Sequence, residues 1–276
     1  MCQLCEKYGD GNPWYLNPMN YARPLYRKVD REKEKEPMIL DELRGPLNIF
    51  KPLIDLKDDP EAFEKAKEQV SKQQERMVGQ VVSLKDAEKM LEIAQPVARI
   101  DCICRRIFRA TLEDDIQRPR SCLGLGMGMF RWEEWPERYK GGVEFLSTGE
   151  AKKHLEHWHK RGMVITIMAF GTPYIGGICL CDYPDCIAIR MRMDYGIKPA
   201  LLKGHQVAKV NYRECTGCGT CVQRCQFGAI KMEVTTNKSN IDLMRCFGCG
   251  VCVHACPQDA MSLIDRREFP TLQEDW

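Results

Sequence analysis

The sequence predicts an α+β protein in which a compact C-terminal unit, built around eight cysteines, follows a mixed helical, cysteine-rich domain and an irregular N-terminal arm. Three observations predict this organisation. A four-cysteine string at residues 215–225 recurs at 246–256, helix-period and strand-period segments precede it, and the first residues show neither period. With 276 residues, the chain is long enough for more than one hydrophobic core.

The N-terminal arm is rich in aromatic residues, and glycine and proline interrupt it. Because aromatic side chains need a surface to bury against, we expect the arm to wrap its own domain or a partner subunit. Cys2 and Cys5 either contribute to a metal site formed elsewhere or remain free thiols, since two cysteines cannot complete a site alone. A charged stretch at 31–37 links the arm to the next domain.

Two amphipathic helices are predicted in the following segment. The pattern from Pro60 to Met77 places apolar side chains on one side of a helix. Ser83 is a typical N-cap for a second helix, which must end before Pro96. We expect these two helices to pack against each other as a pair.

The strongest helix signal lies in the middle of the chain. Ser147 and Glu150 form a capping box, and Gly162 is a typical helix stop. The apolar, β-branched run at 163–170 then predicts a buried strand, which a turn connects to a second strand from Ile175. This order of helix, strand, turn and strand suggests a winged-helix-like unit.

Six further cysteines lie in three groups around this unit. They are Cys102, Cys104, Cys122, Cys179, Cys181 and Cys186. Their spacing fits no simple zinc motif, and so many reactive free thiols would be a liability to the cell. Because four thiolates complete a 4Fe-4S site, we predict a third cluster on the first three with one of the last three. Two cysteines remain over, and adding Cys2 and Cys5 would supply enough thiols for a fourth cluster.

The repeated strings at 215–225 and 246–256 both spell C-x2-C-x2-C-x3-C. Two intervening residues let successive sulfurs curl around one cluster, and the glycines between them permit close backbone approach. In this pattern three cysteines of one string bind an iron-sulfur cluster together with the fourth cysteine of the other string. The predicted ligand sets are Cys215, Cys218, Cys221 with Cys256, and Cys246, Cys249, Cys252 with Cys225. Zinc knuckles and disulfides are the alternatives, and the matching pair of strings argues against both.

This region, about residues 205–265, resembles the bacterial two-cluster ferredoxins, including the step from Cys256 to Pro257. The resemblance implies two 4Fe-4S clusters and an electron-transfer role. One departure is visible, because Gln226 follows Cys225 where that family usually has proline. Residues 231–241 are predicted to form a hairpin-like connection between the two repeats.

A longer resemblance covers about residues 80–265. It is carried by DCICR at 101–105, the Cys122-Leu123 step, the helix after Ser147, and GICLCDYPDC, which ends at Cys186. This order is similar to anaerobe iron-sulfur proteins that place a cysteine-rich, winged-helix-like domain before a two-cluster ferredoxin module. The resemblance implies an additional cluster upstream. That family often has consecutive cysteines after the second C-x-C, whereas this chain has Asp182-Tyr183-Pro184-Asp185 there.

We therefore divide the chain into four parts. They are an irregular aromatic arm with a charged linker (1–37), a helical, winged-helix-like, cysteine-rich domain (38–204), a two-cluster 4Fe-4S ferredoxin domain (205–265) and a C-terminal tail (266–276).

Composition narrows the possible functions. The formal net charge of +2 favours a fixed subunit of a larger enzyme over a freely diffusing shuttle, which in the ferredoxin family tends to be acidic. The sequence contains no dinucleotide-binding or phosphate-binding glycine motif, and nothing in it requires nucleic acid. It also contains no apolar run near the roughly 18 residues of a membrane span and no signal-peptide pattern. We therefore predict a cytoplasmic protein of an anaerobe.

The predicted function is that of a non-catalytic electron-transfer subunit in a hetero-oligomeric anaerobic oxidoreductase. It would carry single electrons through two ferredoxin-type clusters and a third, upstream cluster, with a redox enzyme subunit or another electron-transfer protein as partner. An alternative is an iron-sulfur enzyme that binds its substrate at an upstream cluster with an open iron position. A redox-sensing DNA-binding protein is a further alternative, although it would need a more basic helix than the one after Ser147.

Overall fold

A computed structural model describes residues 2–21, 51–108, 120–126, 129, 143–272 and 276; the charged stretch at 31–37 lies outside them. The helices are α1 (Gln3–Tyr8), α2 (Pro60–Gln74), α3 (Leu84–Ile93), α4 (Ile103–Phe108), α5 (Thr148–Lys160), α6 (Ile187–Met193), α7 (Thr220–Arg224) and α8 (Val251–Ala255). The strands are β1 (Gly79–Val81), β2 (Val97–Ile100), β3 (Cys122–Leu125), β4 (Glu144–Leu146), β5 (Val164–Ala169), β6 (Ile175–Cys181), β7 (Gln206–Val210), β8 (Ile230–Glu233), β9 (Lys238–Ile241) and β10 (Met261–Asp265). None of the helices in these ranges is long and apolar enough to cross a membrane.

A six-stranded antiparallel sheet forms the centre of the upstream part. Its strand order is β1-β5-β6-β3-β2-β4. Helices α3 and α5 pack against each other, and their apolar residues share one core with β5 and β6. Leu91 of α3, Leu155 of α5 and Ile167 of β5 are fully buried there. The combination of this sheet with packed helices confirms the α+β class.

The predicted caps of α5 and α3 are present. The Glu150 amide donates to Ser147 Oγ at 3.3 Å, and the Ser147 amide donates back to Glu150 Oε2 at 2.9 Å. Gly162 follows the helix with a φ of +100°, a conformation that glycine adopts readily. Ser83 caps α3 by accepting a hydrogen bond from the Asp86 amide.

Helix α2 does not pair with α3 as we expected. Its buried residues Ala66 and Val70 pack with Met191 of α6 in a separate apolar cluster, whereas α3 packs against α5. The apolar stripe of α2 is therefore buried by α6 and that of α3 by α5, so each helix has a different partner.

The elements predicted for a winged-helix-like unit belong to the six-stranded sheet and its packed helices, and the winged-helix-like assignment itself stays a prediction. The predicted helix, strand, turn and strand are present as α5, β5 and β6. However, β5 and β6 are not a peripheral hairpin, because β6 pairs with β5 on one side and β3 on the other. Most of the apolar run at 163–170 is buried by these neighbouring strands and by the helices above them, whereas Phe170 at its end is exposed.

The described part of the N-terminal arm wraps the chain's own core. Trp14 and Tyr15 are fully buried among the residues of α3, α5 and the sheet. Trp14 Nε1 donates to Gln80 Oε1 at 2.6 Å, and Tyr21 OH donates to the Tyr15 carbonyl at 2.5 Å. The first bond connects the arm to the edge strand β1, and the second holds the arm's own backbone in place.

The C-terminal repeats fold as two small antiparallel sheets with two short helices. Strand β7 pairs with β10, and β8 pairs with β9, which confirms the hairpin-like connection between the repeats. Gly219 and Gly250, whose φ values are 73° and 77°, are the N-cap residues of α7 and α8. At Gly248, with φ +72°, an added Cβ would lie 1.9 Å from the Gln206 carbonyl oxygen. The cysteine string therefore lies directly against the backbone of β7. The boundaries of the four sequence-predicted parts stay predictions.

These glycines allow a graded test of backbone strain. We expect Gly149→Ala to be neutral or slightly stabilising, because it lies in α5 with open space around the new Cβ. Gly219→Ala should cost about 1–2 kcal/mol from its positive φ alone, since nothing lies within 4 Å of the new Cβ. Gly248→Ala combines positive φ with the clash against Gln206 and should cost the most. Denaturant unfolding checks the order, and equal losses for the last two would contradict it.

Candidate metal centres

The cysteines of the C-terminal repeats form two groups. The first lines one cavity and comprises Cys215, Cys218, Cys221 and Cys256. Ser239 Oγ lies 3.0 Å from Cys221 Sγ, and the Ala260 amide donates to Cys256 Sγ at 3.3 Å. Cys218 is exposed, and hydrogen bonds from Thr220 lower its thiol pKa. This group therefore lies at the protein surface and contains three cysteines of one string with the last of the other.

The second group lies deeper in the protein. It comprises Cys225, Cys246, Cys249 and Cys252, and burial, with a smaller contribution from the charge of Cys225, raises the pKa of the other three. Burial raises the pKa of Cys249 to about 12. The Ala208 amide donates to Cys246 Sγ at 3.4 Å, and the Ala229 amide donates to Cys225 Sγ at 3.3 Å. Because burial disfavours thiolates, a bound cation is needed to keep these sulfurs ionised.

All six upstream cysteines meet in one place. Each of their thiols shifts the pKa of two others, and the order of these interactions closes on itself, so we call the group the cysteine ring. Its order is Cys102, Cys104, Cys186, Cys181, Cys179, Cys122 and back to Cys102. Four of its members are buried, and Cys104 and Cys179 are partly buried. The ring is thus a cluster of sulfur ligands inside the upstream part.

Sheet register explains how three separate groups converge. Cys122 begins β3 and pairs with Ile100 at the end of β2, so Cys102 follows just beyond. Strand β6 runs antiparallel to β3, with Ile178 opposite Leu123, which brings the end of β6 to the same edge. Cys179 and Cys181 are separated by two positions on β6 and share a face. A turn after β6, closed by the Cys186 amide donating to the Asp182 carbonyl at 2.8 Å, returns Cys186 to the ring.

Arg105 braces the ring from inside the protein. Its side chain is 2% exposed, and its guanidinium donates to Asp182 Oδ1 and to the Leu180 carbonyl, both at 3.0 Å. Interactions with the Cys104 and Cys122 thiols, together with the charge of Arg105, lower the pKa of Cys102 against the effect of burial. The Cys104 and Cys122 pKa values are raised, because each thiol interacts with Cys102 and is shielded from water. One arginine cannot neutralise several buried thiolates, so the ring fits a polynuclear metal cluster.

The grouping differs from the sequence-based expectation in two respects. We predicted four upstream ligands, Cys102, Cys104 and Cys122 with one of the last three, whereas the structure brings all six together. We also considered that Cys2 and Cys5 might join the leftover pair in a fourth site. Instead they lie apart from the ring, with Cys5 Sγ 3.0 Å from His205 Nε2. The eight upstream cysteines are divided six and two rather than four and four.

His205 is a residue that the sequence analysis missed. It lies 200 positions from Cys5 in the chain and directly before β7, and no local motif contains it. The sequence signal that could have identified His205 is the small number of histidines, five, in a chain with many cysteines.

The second group and the cysteine ring share one apolar cluster. It contains Cys181 and Cys186 of the ring, with Cys225 and Cys249 of the second group packed against it. Phe227 and Phe247 stack there, with ring centroids 4.0 Å apart. The two cysteine groups are therefore joined by a common set of buried apolar side chains.

Gln226 occupies the position where the ferredoxin family usually has proline, and it bridges the two parts. Its Nε2 donates to the Gly162 carbonyl at 2.6 Å, and its Oε1 accepts from the Tyr183 amide at 2.9 Å. Proline can make neither bond. Gln226, which replaces the usual proline, therefore links the second group, which contains the neighbouring Cys225, to the turn between Cys181 and Cys186.

One comparison with known proteins identifies the C-terminal part. Residues 214–260 match the family described as 4Fe-4S dicluster domain. No curated protein matches the chain. The C-terminal part is therefore a ferredoxin-type iron-sulfur module, and together with the many other cysteines it indicates iron-sulfur electron transfer.

Arg105→Lys tests whether the hydrogen bonds of Arg105 stabilise the cysteine ring. Lysine keeps the charge but not the planar fork, so we expect a loss of about 3 kcal/mol in unfolding free energy and a fall of about four irons per chain. The matched control is Arg99→Lys, where the arginine is 34% exposed and pairs with Glu144. That control should cost no more than about 1 kcal/mol and no iron. Equal behaviour of the two variants would contradict the bracing role.

Gln226→Pro tests the bridge by installing the residue typical of the ferredoxin family. Losing two hydrogen bonds should lower the unfolding free energy of the whole chain by about 1–3 kcal/mol. Gln226→Ala should lose a similar amount, because it removes the same bonds without adding a ring. Gln223→Ala, at an exposed position of α7, is the control and should change little. Denaturant titration followed by tryptophan fluorescence measures all three, and a stable Gln226→Pro variant would rule out the bridge.

Proposed function

We propose that this chain is an electron-transfer subunit of a larger anaerobic oxidoreductase, with two ferredoxin-type 4Fe-4S clusters and a third cluster in the cysteine ring. The observation that carries the proposal is the apolar cluster in which thiols of the ring and thiols of the second group pack together. Two sulfur ligand sets that share one dry cluster are arranged for electron exchange rather than for separate tasks.

The cysteines present fit these groups. In the proposal, Cys215, Cys218, Cys221 and Cys256 hold one cluster, and Cys246, Cys249, Cys252 and Cys225 hold the other. The ring supplies four or more of its six thiols to the third. When bound, such clusters accept and release one electron at a time. Amide donors from Ala208, Ala229 and Ala260 point at the ligand sulfurs and would stabilise the reduced state.

The three centres differ in exposure, which gives the proposed path a direction from surface to interior. Cys218 of the first group is exposed, Cys249 of the second is shielded by the apolar cluster, and the ring is enclosed by the sheet, α4 and α6. A redox partner can approach the first group directly. Tyr212 and Val234, 51% and 98% exposed, are apolar side chains in the same module. They support a protein partner there, in line with a hetero-oligomer in the cytoplasm of an anaerobe.

An iron-sulfur enzyme is the second candidate, and one observation favours it. The ring offers six thiols, two more than a 4Fe-4S cluster requires. A cluster with unusual ligation could bind a substrate at one iron. Against this, Arg105 and most of the ring are buried in the described part of the chain, so a substrate would need an opening.

Iron content tests the ligand assignment. Anaerobically purified wild type should hold about twelve irons per chain, and Cys249→Ala about eight. Replacing the alternate ring members Cys102, Cys179 and Cys186 with serine leaves three thiols, too few for a cluster, and should also remove about four irons. Cys2→Ser is the matched control and should leave iron and acid-labile sulfide unchanged. Full iron in the triple variant would refute the ring cluster.

Kinetics then distinguish the two candidate functions. If the chain is an electron-transfer subunit, electrons should reach the ring iron through the second group. Cys249→Ala should then slow the reduction of the ring iron by a low-potential donor protein. The electron paramagnetic resonance signal of the first group should develop normally in the same variant. Unchanged reduction of the ring iron would favour the enzyme, with its own access to the ring.

A further inference from the structure

A third kind of site lies where the N-terminal helix meets the ferredoxin-type module. Cys2 Sγ lies 3.0 Å from Cys5 Sγ, and Cys5 Sγ lies 3.0 Å from His205 Nε2. All three ligand atoms are within 4.8 Å of one another. Cys2 and Cys5 are 1% and 3% exposed, so the site is closed on the sulfur side. Three metal-binding atoms from opposite parts of the chain converge on one buried point.

The hydrogen bonds on the Nδ1 side of His205 favour the tautomer that a metal ligand needs. Tyr15 OH donates its only proton to Asp86 Oδ2 at 3.2 Å. The Tyr15 oxygen, 2.8 Å from His205 Nδ1, must therefore accept from that nitrogen. A proton on Nδ1 leaves the lone pair on Nε2, which faces the thiols. Metal-bound histidines typically carry such a second bond, which holds the ring in place.

We propose that Cys2, Cys5 and His205 bind one divalent transition-metal ion, and that the donor set favours zinc. Two thiolates and one imidazole are a common zinc ligand set, with a fourth position for water or another donor. A 4Fe-4S cluster would require more sulfur ligands than this group offers among the described residues. The Trp14 amide, which donates to Cys5 Sγ at 3.4 Å, supports a thiolate there.

The ion would fasten the N-terminal segment to the iron-sulfur module. His205 directly precedes β7, and the Ala208 amide of that strand donates to Cys246 Sγ. On the other side, Cys2 and Cys5 belong to α1 and its cap, next to the fully buried Trp14. Because such a site does not exist in the unfolded chain, metal binding stabilises this junction. The site is distinct from the three proposed clusters and has a structural task.

Metal analysis of the full-length chain tests the proposal. Anaerobically purified wild type should contain about one zinc ion per chain in addition to iron. In His205→Gln the zinc should fall at least roughly tenfold while iron and sulfide stay constant. His157→Gln, which changes an exposed histidine of α5, is the matched control and should keep both metals. Zinc-edge X-ray absorption of wild type should show two sulfurs at about 2.3 Å and one nitrogen at about 2.0–2.1 Å.

Tyr15→Phe keeps the proposal testable if His205→Gln does not fold. It preserves the buried ring and all three ligands but removes the bond to Nδ1, so zinc affinity should fall about 10–100-fold in competition with a chelator. Three outcomes would overturn the proposal. They are zinc retained at the wild-type level in His205→Gln, a loss of iron rather than zinc in that variant, and a zinc-free wild type with Cys2 and Cys5 joined in a disulfide.

Discussion

Thiols that are buried side by side repel one another once they lose their protons, and this repulsion constrains the rest of the structure. Each sulfur group meets it with nearby donors or cations: backbone amides for the two groups of the module, and Arg105 for the ring. These contacts are not enough to neutralise several thiolates in a low-dielectric interior. Metal binding is therefore expected to decide how well the surrounding backbone holds its shape.

The junction between the upstream part and the ferredoxin-type module is built as a continuous interior. The stacked pair Phe227 and Phe247 belongs to the apolar cluster that also contains Cys225 and thiols of the cysteine ring. Gln226 adds two hydrogen bonds across the same junction. Shielding from water and a fixed geometry are what neighbouring redox centres require, because solvent reorganisation and variable spacing would both slow electron exchange. The proposed subunit role follows from this continuity more than from either part alone.

The N-terminal segment adds a second connection between the same two parts. Trp14 and Tyr15 bury it in the upstream core, while His205 joins it to the module. The proposed metal ion would lock this connection without taking part in electron transfer, since zinc has a single stable oxidation state in proteins.

Spacing within the sequence was sufficient to predict the capped helices and the hairpin, because these depend on neighbouring residues, while the ligand sets of the two C-terminal cysteine groups stay predictions. The crossed grouping of Cys225 and Cys256 also followed from the repeat. The sequence did not reveal that β5 and β6 are central strands, that all six upstream cysteines meet, or that His205 approaches Cys5. Each of these depends on strand order and on register across the sheet, which join residues far apart in the chain. Such pairings are decided by the whole core, so only the tertiary structure could show them.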